Sequence, residues 1–295
     1  MEVKLMFNIF DKSQLKDLYK PSKASKGEDN GQVTIIGGSS LFHGAPILAL
    51  KSASRIVDMV FFATPEKSVG HVAENLKNKL LSFIWVPWED VEKYIAKSDA
   101  ILIGSGFMRF ASEKSTHSER YNVCDEACEE TKSITERLLK KFPNKKWVID
   151  AGSLQVIEPG ILPKDCIITP NQKEFNLLFK INISNSNKIT EAVQEKAREY
   201  KCIVVLKGQE TIVASPKTCV IVKGGNPGMT KGGTGDVHAG LTVALLAKNN
   251  SFLAASAASY IIKAAGDTLF EKMGIYFNAD DLTEQISITF STLLK

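Results

Sequence analysis

Short runs of β-branched and aromatic residues recur along the chain, and most of them end at a glycine or a polar residue. Runs of this length and composition predict buried strands. They cover residues 33–36, 59–63, 83–86, 100–103, 147–150, 166–169, 202–206, 211–214 and 219–222. Several of these strands pass directly into glycine-containing stretches, such as 37–40 and 104–106. A strand that enters a glycine loop before a helix is typical of a parallel α/β sheet.

Apolar residues at helical spacing separate many of these strands. The predicted helices cover residues 13–19, 45–54, 89–97, 118–141, 189–200 and 251–266, and a further buried helix follows Asp236. The last three strands follow one another as a meander, which predicts antiparallel strands at one edge. We therefore predict an α/β fold with a mostly parallel, doubly wound sheet. The sequence has no linker, low-complexity tract or internal repeat, so we expect one domain.

Composition excludes several classes of function. The 295 residues are 44% hydrophobic and 24% charged, which is ordinary for a soluble globular protein. The net charge is only +4 and the lysines are scattered, so nucleic-acid binding receives no support. Residues 1–10 lack a signal-peptide pattern, and no run of about 18 apolar residues occurs. We expect a protein without membrane association.

The cysteines and histidines show no metal-binding spacing. Cys124, Cys128, Cys166, Cys202 and Cys219 are an odd number at irregular intervals. This argues against a zinc site or a disulfide framework and favours a reducing, cytoplasmic compartment. Cys124 and Cys128 lie one helical turn apart, which fits a weak metal pair or, more commonly, helix packing. The histidines are His43, His71, His117 and His238, of which the last can face away from the Asp236 loop.

The segment with the clearest chemical content covers residues 225–236 and reads GNPGMTKGGTGD. An apolar run follows it, so its glycines lie at a helix N-terminus, where free amides favour an anion such as phosphate. A carboxylate would repel that anion. We therefore interpret Asp236 as a base that removes a proton from a hydroxyl while the amides hold a phosphoryl group. A helix cap after a loop is the alternative.

Ligands of such sheets bind outside the carboxyl ends of the strands. We therefore expect residues 37–40, 104–106 and 207–208 to lie on one rim with the Asp236 loop. The sequence contains neither a Walker loop nor a GxGxxG dinucleotide fingerprint. A phosphate site on this rim would be of another type.

Five segments occur in order along the chain: GGS at 37–39, GAPILA at 44–49, TPNQKEF at 169–175, VLKG at 205–208 and the segment 225–236. Together they resemble the ADP- or ATP-dependent NAD(P)H-hydrate dehydratases, a branch of the ribokinase-like superfamily. The match extends from about residue 26 to 247. The resemblance implies a three-layer α/β/α sandwich forming a single domain over residues 1–295, with 1–25 as an N-terminal extension.

The resemblance also implies an activity. Members of this family return hydrated NADH or NADPH to NAD(P)H by phosphoryl transfer from ADP or ATP, followed by elimination of phosphate, which is a form of metabolite repair. A magnesium ion would be held mostly by phosphates and water, so no protein ligand cluster is expected. Homo-oligomers are usual in the family.

By resemblance, Asp236 is the catalytic base. The implied substrate-binding residues are Ala45, Gly104, Gly106, Asn171, Glu174 and Asp236. The implied nucleotide-binding residues are Lys207, Gly208, Gln209, Glu210, Thr211, Gly232, Gly233, Thr234 and Gly235. Two of these have simpler interpretations: Asn171 as a helix cap before Glu174, and Lys207 as a solvated turn lysine.

The chain also departs from the family pattern. Asn171 stands where many bacterial members carry histidine, which leaves the choice between ADP and ATP open. The GPGLG loop of the family is GSGFM at 104–108, and its DADGL strand end is DAGSL at 150–154, so Asp150 receives no firm role. Two other functions remain compatible with the sequence: a ribokinase-like vitamin-precursor kinase, and a nucleotide-binding regulator without catalysis.

Overall fold

The computed structural model describes residues 8–76, 80–109, 124–183 and 188–294. Within these residues, ten strands form one sheet in the order β1-β10-β9-β8-β7-β6-β5-β2-β3-β4. The strands are β1 (Asn8–Ile9), β2 (Gln32–Ile36), β3 (Met59–Ala63), β4 (Ile84–Trp85), β5 (Ala100–Ile103), β6 (Lys146–Ile149), β7 (Ile167–Ile168), β8 (Ile203–Leu206), β9 (Thr211–Ala214) and β10 (Cys219–Val222).

The sheet is parallel except around β9. This strand pairs antiparallel with β8 on one side and with β10 on the other, while β1 pairs parallel with β10. The predicted antiparallel pairing near one edge is therefore confirmed, and β9 is the strand that runs against the rest. The parallel strands β2 and β5 to β8 consequently end on the same rim, where the loops after them meet.

Helices cover both faces of the sheet, giving three layers. They are α1 (Gly44–Ala53), α2 (Lys67–Leu76), α3 (Val91–Lys97), α4 (Glu126–Lys141), α5 (Ala151–Val156), α6 (Gln172–Phe179), α7 (Ile189–Glu199), α8 (Thr234–Lys248), α9 (Ser251–Met273) and α10 (Ala279–Leu293). Two hydrophobic clusters separate them from the sheet, one including α1, α8, α9 and α10 and the other α3 to α7. Alternate strand residues supply the two clusters, as Val33 and Ile36 of β2 do.

Helix α8 is the most enclosed element of the first layer. Every residue from Val237 to Ala247 is buried, which matches the uninterrupted apolar run in the sequence. Gly240 lets α8 approach α1 backbone to backbone, because a Cβ there would lie 2.2 Å from the carbonyl oxygen of Ala49. The helix begins after Gly233, whose φ of +92° favours glycine.

Several elements differ from the sequence-based expectation. Residues 13–19 contain a 3-10 helix, Lys12–Asp17, instead of an α-helix. The helix predicted at 118–141 begins at Glu126, after an Asp125 cap that accepts a hydrogen bond from the Cys128 amide, and residues 118–123 lie outside the described part. Helices α2, α5 and α10 had no sequence prediction, and α6 was expected only through the alternative that Asn171 caps a helix. Helix α5 is short and follows β6 at once, and the apolar residues of α10 are interrupted by polar ones.

The N-terminal segment belongs to the sheet and core. Strand β1 pairs with β10, and Phe10, Leu15 and Leu18 are buried in the first cluster. The segment predicted as an extension therefore covers one edge of the sheet. The assignment of residues 1–295 to a single domain stays a prediction.

The cysteines provide one correction. Cys124 and Cys128 form a disulfide at the start of α4, which contradicts the expectation of unpaired cysteines. Their spacing of one helical turn brings the two sulfur atoms to the same side of the chain. Cys166, Cys202 and Cys219 are free and buried. None of the helices in the described ranges has the length and hydropathy needed to cross a membrane.

Candidate active site

The glycine stretches after β2 and β5 meet on the rim. The Gly38 amide donates to the carbonyl oxygen of Ser105 at 2.9 Å, and the Gly104 amide donates to that of Ile36 at 3.1 Å. A Cβ on Gly37 would lie 2.1 Å from the Ser105 oxygen. The two loops therefore touch through their backbones, as the sequence predicted, and together they make one wall of the site.

Ala45 packs against Gly106 of this wall. Gly104 and Gly106 have φ angles of +114° and +76°. A Cβ on Gly104 would lie 2.0 Å from the Asp150 carbonyl oxygen, and one on Gly106 would lie 2.5 Å from that of Phe42 and 3.1 Å from the Ala45 Cβ. Only glycine fits at either position, and the N-terminus of α1 consequently reaches the rim.

Asp236 occupies the first turn of α8 and is half-buried. Burial and the charge of Asp150 raise the pKa of Asp236 to about 7, although the Lys207 ammonium and the Ser105 hydroxyl lower it. Glu174 adds a smaller upward effect on that pKa. A carboxyl that titrates near neutral pH can take up and release a proton under ordinary conditions, which suits general-base catalysis.

The Ser105 side chain adds a polar atom next to this carboxyl. Its Oγ is fully buried and, among the described residues, has no hydrogen bond of normal length. It nevertheless lies close enough to the Asp236 carboxyl to lower its pKa. The hydroxyl is therefore available as a donor or acceptor to a group that enters the site.

Lys207 joins the acidic groups of the rim. Its Nζ lies 2.9 Å from Asp150 Oδ1 and 3.9 Å from Glu174 Oε2, and its side chain is 21% exposed. Burial lowers the pKa of Lys207, but the charges of Asp150 and Glu174 outweigh that effect and the pKa is raised overall. The lysine is thus a fixed, charged group, and its interpretation as a solvated turn residue is wrong.

Asn171 caps helix α6, as the simpler interpretation proposed. Its Oδ1 accepts a hydrogen bond from the Glu174 amide at 3.0 Å, and Glu174 Oε2 accepts one from the Asn171 amide at 2.8 Å. Gln155 also donates to Glu174, at 3.1 Å. Asn171 is still exposed and lines the adjoining cavity, so capping does not remove it from the site.

A cavity of about 750 Å³ adjoins the rim on the side of β8 and α9. Its lining includes the predicted residues Asn171, Lys207, Gly208, Gln209, Thr211, Thr234 and Gly235. Glu210, Gly232 and Gly233 were also predicted to contact nucleotide, but they do not line this cavity. Glu210 pairs with Lys223 at the surface, and a Cβ on Gly233 would meet Leu48 at 2.5 Å.

The sequence analysis missed two residues of α9 that shape this cavity. Lys263 Nζ donates to the carbonyl oxygens of Gly224 and Gln209, each at 2.8 Å. Asp267 accepts from the Gly225 amide and the Asn226 side chain, both at 3.0 Å. The pair ties the turn after β8 to the glycine loop before α8. The sequence signal that could have identified this site is Lys263, a lysine within a mostly apolar helical run.

His238 also lines the cavity, although the sequence left open that it faces away from the Asp236 loop. It is buried, and a ring nitrogen lies 3.1 Å from Ser259 Oγ. Burial, with the nearby Lys207 charge, lowers the pKa of His238 to about 3. The ring is therefore neutral at physiological pH and presents no cation to the cavity. His117 lies outside the described residues.

Comparison with known proteins identifies the family. A family model described as NAD(P)H-hydrate dehydratase matches residues 33–287, which is most of the chain. The chain belongs to the NAD(P)H-hydrate dehydratase family. The region matched contains the Gly104–Gly106 loop, Lys207 and Asp236, so the whole candidate site lies inside it.

Two archaeal members of the family are similar over nearly the whole chain. A bifunctional NAD(P)H-hydrate repair enzyme of Methanocaldococcus jannaschii is 34% identical over 92% of this chain. The chain spans only half the length of that relative. An ADP-dependent (S)-NAD(P)H-hydrate dehydratase of Nitrosopumilus maritimus is 32% identical, and the match covers 91% of each chain.

Solved structures of a dehydratase and of a kinase share the fold of this chain. The ADP/ATP-dependent NAD(P)H-hydrate dehydratase of Bacillus subtilis, co-crystallised with ATP and Mg²⁺, superposes with a TM-score of 0.78 at 20% identity over 99% of each chain. A hydroxyethylthiazole kinase of Pyrococcus horikoshii superposes with a TM-score of 0.58 at 16% identity, covering 95% of this chain and 92% of its own. The first similarity confirms the predicted three-layer α/β/α sandwich.

Proposed function

We propose that this protein dehydrates hydrated NADH or NADPH at the expense of an adenine nucleotide. The observation that carries the proposal is the position of Asp236, a carboxyl with a pKa of about 7 at a helix N-terminus. Ser105 of the glycine wall lies next to this carboxyl, and the neighbouring residues Gly235 and His238 line the 750 Å³ cavity. Family membership and the names of the archaeal relatives support the same activity.

In the proposed first step, the ionised Asp236 removes the proton from the hydroxyl of the hydrated nicotinamide ring. The oxygen attacks the terminal phosphorus of the nucleotide, and the bond between that phosphorus and its bridging oxygen breaks. The backbone amides of Gly232, Gly233 and Gly235 and the Lys207 ammonium stabilise the negative charge on the moving group. Lys207 suits this role because its Nζ lies 3.4 Å from where a Cβ on Gly235 would stand.

In the proposed second step, phosphate leaves with the electron pair of its bond to ring carbon. The lone pair of the ring nitrogen forms a double bond to that carbon, and loss of a proton from the neighbouring carbon restores the reduced nicotinamide. Water thus leaves the substrate as phosphate oxygen and protons. Phosphate is a far better leaving group than hydroxide, which explains the need for a nucleotide. Ala45, which packs against Gly106, and the loop from Gly104 to Gly106 are the residues that we propose to contact the nicotinamide ring.

We further propose ADP as the phosphoryl donor. Two relatives, from Nitrosopumilus maritimus and Cenarchaeum symbiosum, are named ADP-dependent (S)-NAD(P)H-hydrate dehydratases. They are 32% and 31% identical to this chain. The cavity lining offers Gly208, Gln209 and Thr211 to the nucleoside.

The described residues contain no cluster of three His, Cys, Asp or Glu side chains suited to a metal ion. A magnesium ion would therefore enter with the nucleotide phosphates.

The test is recovery of the reduced-nicotinamide absorbance when hydrated NADH is supplied with ADP or ATP separately. We expect Asp236→Asn to lose about 100-fold or more in rate, since positioned general bases contribute 10²–10⁴-fold. Asp165→Asn is the matched control, because Asp165 is exposed and remote from the rim. Full activity of Asp236→Asn would contradict the proposal. Accumulation of a phosphorylated product without phosphate release would instead support a small-molecule kinase. Nucleotide binding without any turnover would support a regulator.

A further inference from the structure

Asp150 is the buried charged group at the end of β6 that the proposed mechanism does not use. Its side chain is 2% exposed. Its backbone is fixed on two sides, because its amide donates to the Ile103 carbonyl at 3.0 Å and its carbonyl oxygen fills the space beside Gly104. Ala151, which follows, has a φ of +45°, a conformation that a non-glycine residue rarely adopts. The carboxyl is therefore held in one place.

Two side chains donate hydrogen bonds to the same oxygen of Asp150. Thr169 Oγ1 lies 2.7 Å from Oδ1, and Lys207 Nζ lies 2.9 Å from it. Both donors stand at the ends of neighbouring strands, β7 and β8. A buried carboxylate without such partners is costly, and the Thr169 hydroxyl and the Lys207 ammonium offset that cost.

Lys207 has three carboxyl groups within its electrostatic reach: Asp150 on β6, Glu174 on α6 and Asp236 on α8. Of these, Asp150 is the one at hydrogen-bond distance, while Glu174 is 3.9 Å away. Ser105 lies next to Asp236, and the neutral His238 lies near Lys207. Without Asp150, the ammonium would be drawn to Glu174 and to the base itself.

We propose that Asp150 is a positioning residue, which holds the Lys207 ammonium at the N-terminus of α8 and away from the Asp236 carboxylate. Lys207 then faces the nucleotide phosphates, and Asp236 remains free to accept the substrate proton. The catalytic effect of this role depends on the proposed function. The placement of Lys207 itself is a property of the protein without ligands.

The proposal has two measurable consequences. Loss of the Asp150 charge should lower the pKa of Asp236, because that charge now raises it. Release of Lys207 toward Asp236 should lower it further. In Asp150→Asn we therefore expect the acidic limb of the pH profile of kcat/KM to move down by about one pH unit. We also expect about tenfold weaker ADP binding, since Lys207 is no longer held at the phosphate position.

Two measurements need no turnover and so separate this inference from the proposed activity. The first is the ADP dissociation constant by calorimetry. The second is the pH titration of the ¹³C carboxyl resonance of Asp236, assigned with Asp236→Asn. If wild-type protein fails to convert hydrated NADH, the proposed function fails, but these two readouts still test Asp150. Unchanged ADP affinity and an unshifted Asp236 titration in folded Asp150→Asn would overturn the inference.

A double variant covers the case in which Asp150→Asn does not fold. Asp150→Asn with Lys207→Met removes both members of the ion pair and leaves no lone buried charge between them. If Asp150 acts through Lys207, the double variant binds ADP within about twofold of Lys207→Met alone. A further tenfold loss in the double variant would show that Asp150 acts independently, and would contradict the positioning role. Thr169→Val, which removes only a neutral donor, should leave the Asp236 titration within a few tenths of a unit.

Discussion

Strand β6 and helix α8 lie against each other, and each has a charged residue at or beside both of its ends. At the amino end of β6, Lys146 donates to the carbonyl oxygens of Leu246, Ala247 and Asn249, at 3.1, 3.4 and 3.1 Å. These carbonyls belong to the end of α8, where a cation matches both the free acceptors and the helix dipole. This end of the pair is arranged for stability.

At the opposite end the charges are poorly matched. Asp150, Glu174 and Asp236 all lie within electrostatic reach of Lys207, and the pKa of Asp236 is raised to about 7. A carboxylate in the first turn of a helix is normally favoured by the dipole. Here burial and like charge outweigh that effect. The same two elements therefore hold one end in a favourable state and the other in a strained electrostatic state, as active sites commonly do.

The largest expected difference between the two ends concerns Lys207. Lys207→Met should reduce kcat/KM for the nucleotide by about 100-fold, comparable to loss of one electrostatic stabiliser of a transition state. Steady-state kinetics with ADP and hydrated NADH provide the measurement. Lys140→Met is the control, because Lys140 forms an exposed ion pair with Glu136 on α4. Equal activity of the two variants would mean that the Lys207 ammonium has no catalytic role.

Asp236 should make the fold less stable as the pH rises. Its carboxyl has a pKa of about 7 in the fold against 3.8 in the unfolded chain, so the native state holds the extra proton between these values. Stability therefore falls from about pH 4 to 7 and stays low above that range. Asp236→Asn should be more stable than wild type by about 2 kcal/mol at pH 8, after allowance for partial exposure.

Urea unfolding at pH 8 and at pH 5 tests this sign. The advantage of Asp236→Asn should be smaller at pH 5, where the wild-type carboxyl is protonated in the fold and only part of the cost has accumulated. A constant difference at both pH values would show that titration of Asp236 is not its cause. Asp165→Asn, at an exposed position, should show no gain at either pH.

The smallest expected effect is at the stable end. Lys146→Met should lower the free energy of unfolding by about 1 kcal/mol, through the loss of hydrogen bonds to the last carbonyls of α8. Activity should stay within about twofold of wild type, since Lys146 lies at the far end of the helix from Asp236. A stability loss with large loss of activity would show that the two ends of α8 are coupled.

Much of the rim could be predicted from sequence because its signals are local. Each strand that enters a glycine stretch marks its own end, and parallel strands place those ends together. Asp236 stood out because it follows a glycine loop and precedes an apolar run. The Asn171 cap was visible because its partner Glu174 is three residues away.

The remaining features depend on contacts between distant residues. Lys263 contacts carbonyl groups 39 to 55 positions earlier in the chain, and Asp267 contacts Gly225 and Asn226 at similar separation. The partner of Asp150, Lys207, is 57 positions away. Helical periodicity places such side chains on a helix face, but it does not say which loop that face will meet. The disulfide between Cys124 and Cys128 joins residues close in sequence. The prediction against disulfides was wrong here because it relied on the odd number and irregular spacing of the five cysteines.

The contact between Gly240 and Ala49 has a consequence for the spacing of the reacting groups. Gly240 lies one helical turn beyond Asp236, and Ala49 lies one turn beyond Ala45. The helices that carry Asp236 and Ala45 therefore touch main chain to main chain one turn beyond these two residues. No side-chain rotation can widen that junction. The distance between the main chain at Asp236 and the main chain at Ala45 is therefore fixed by the packing of the two helices.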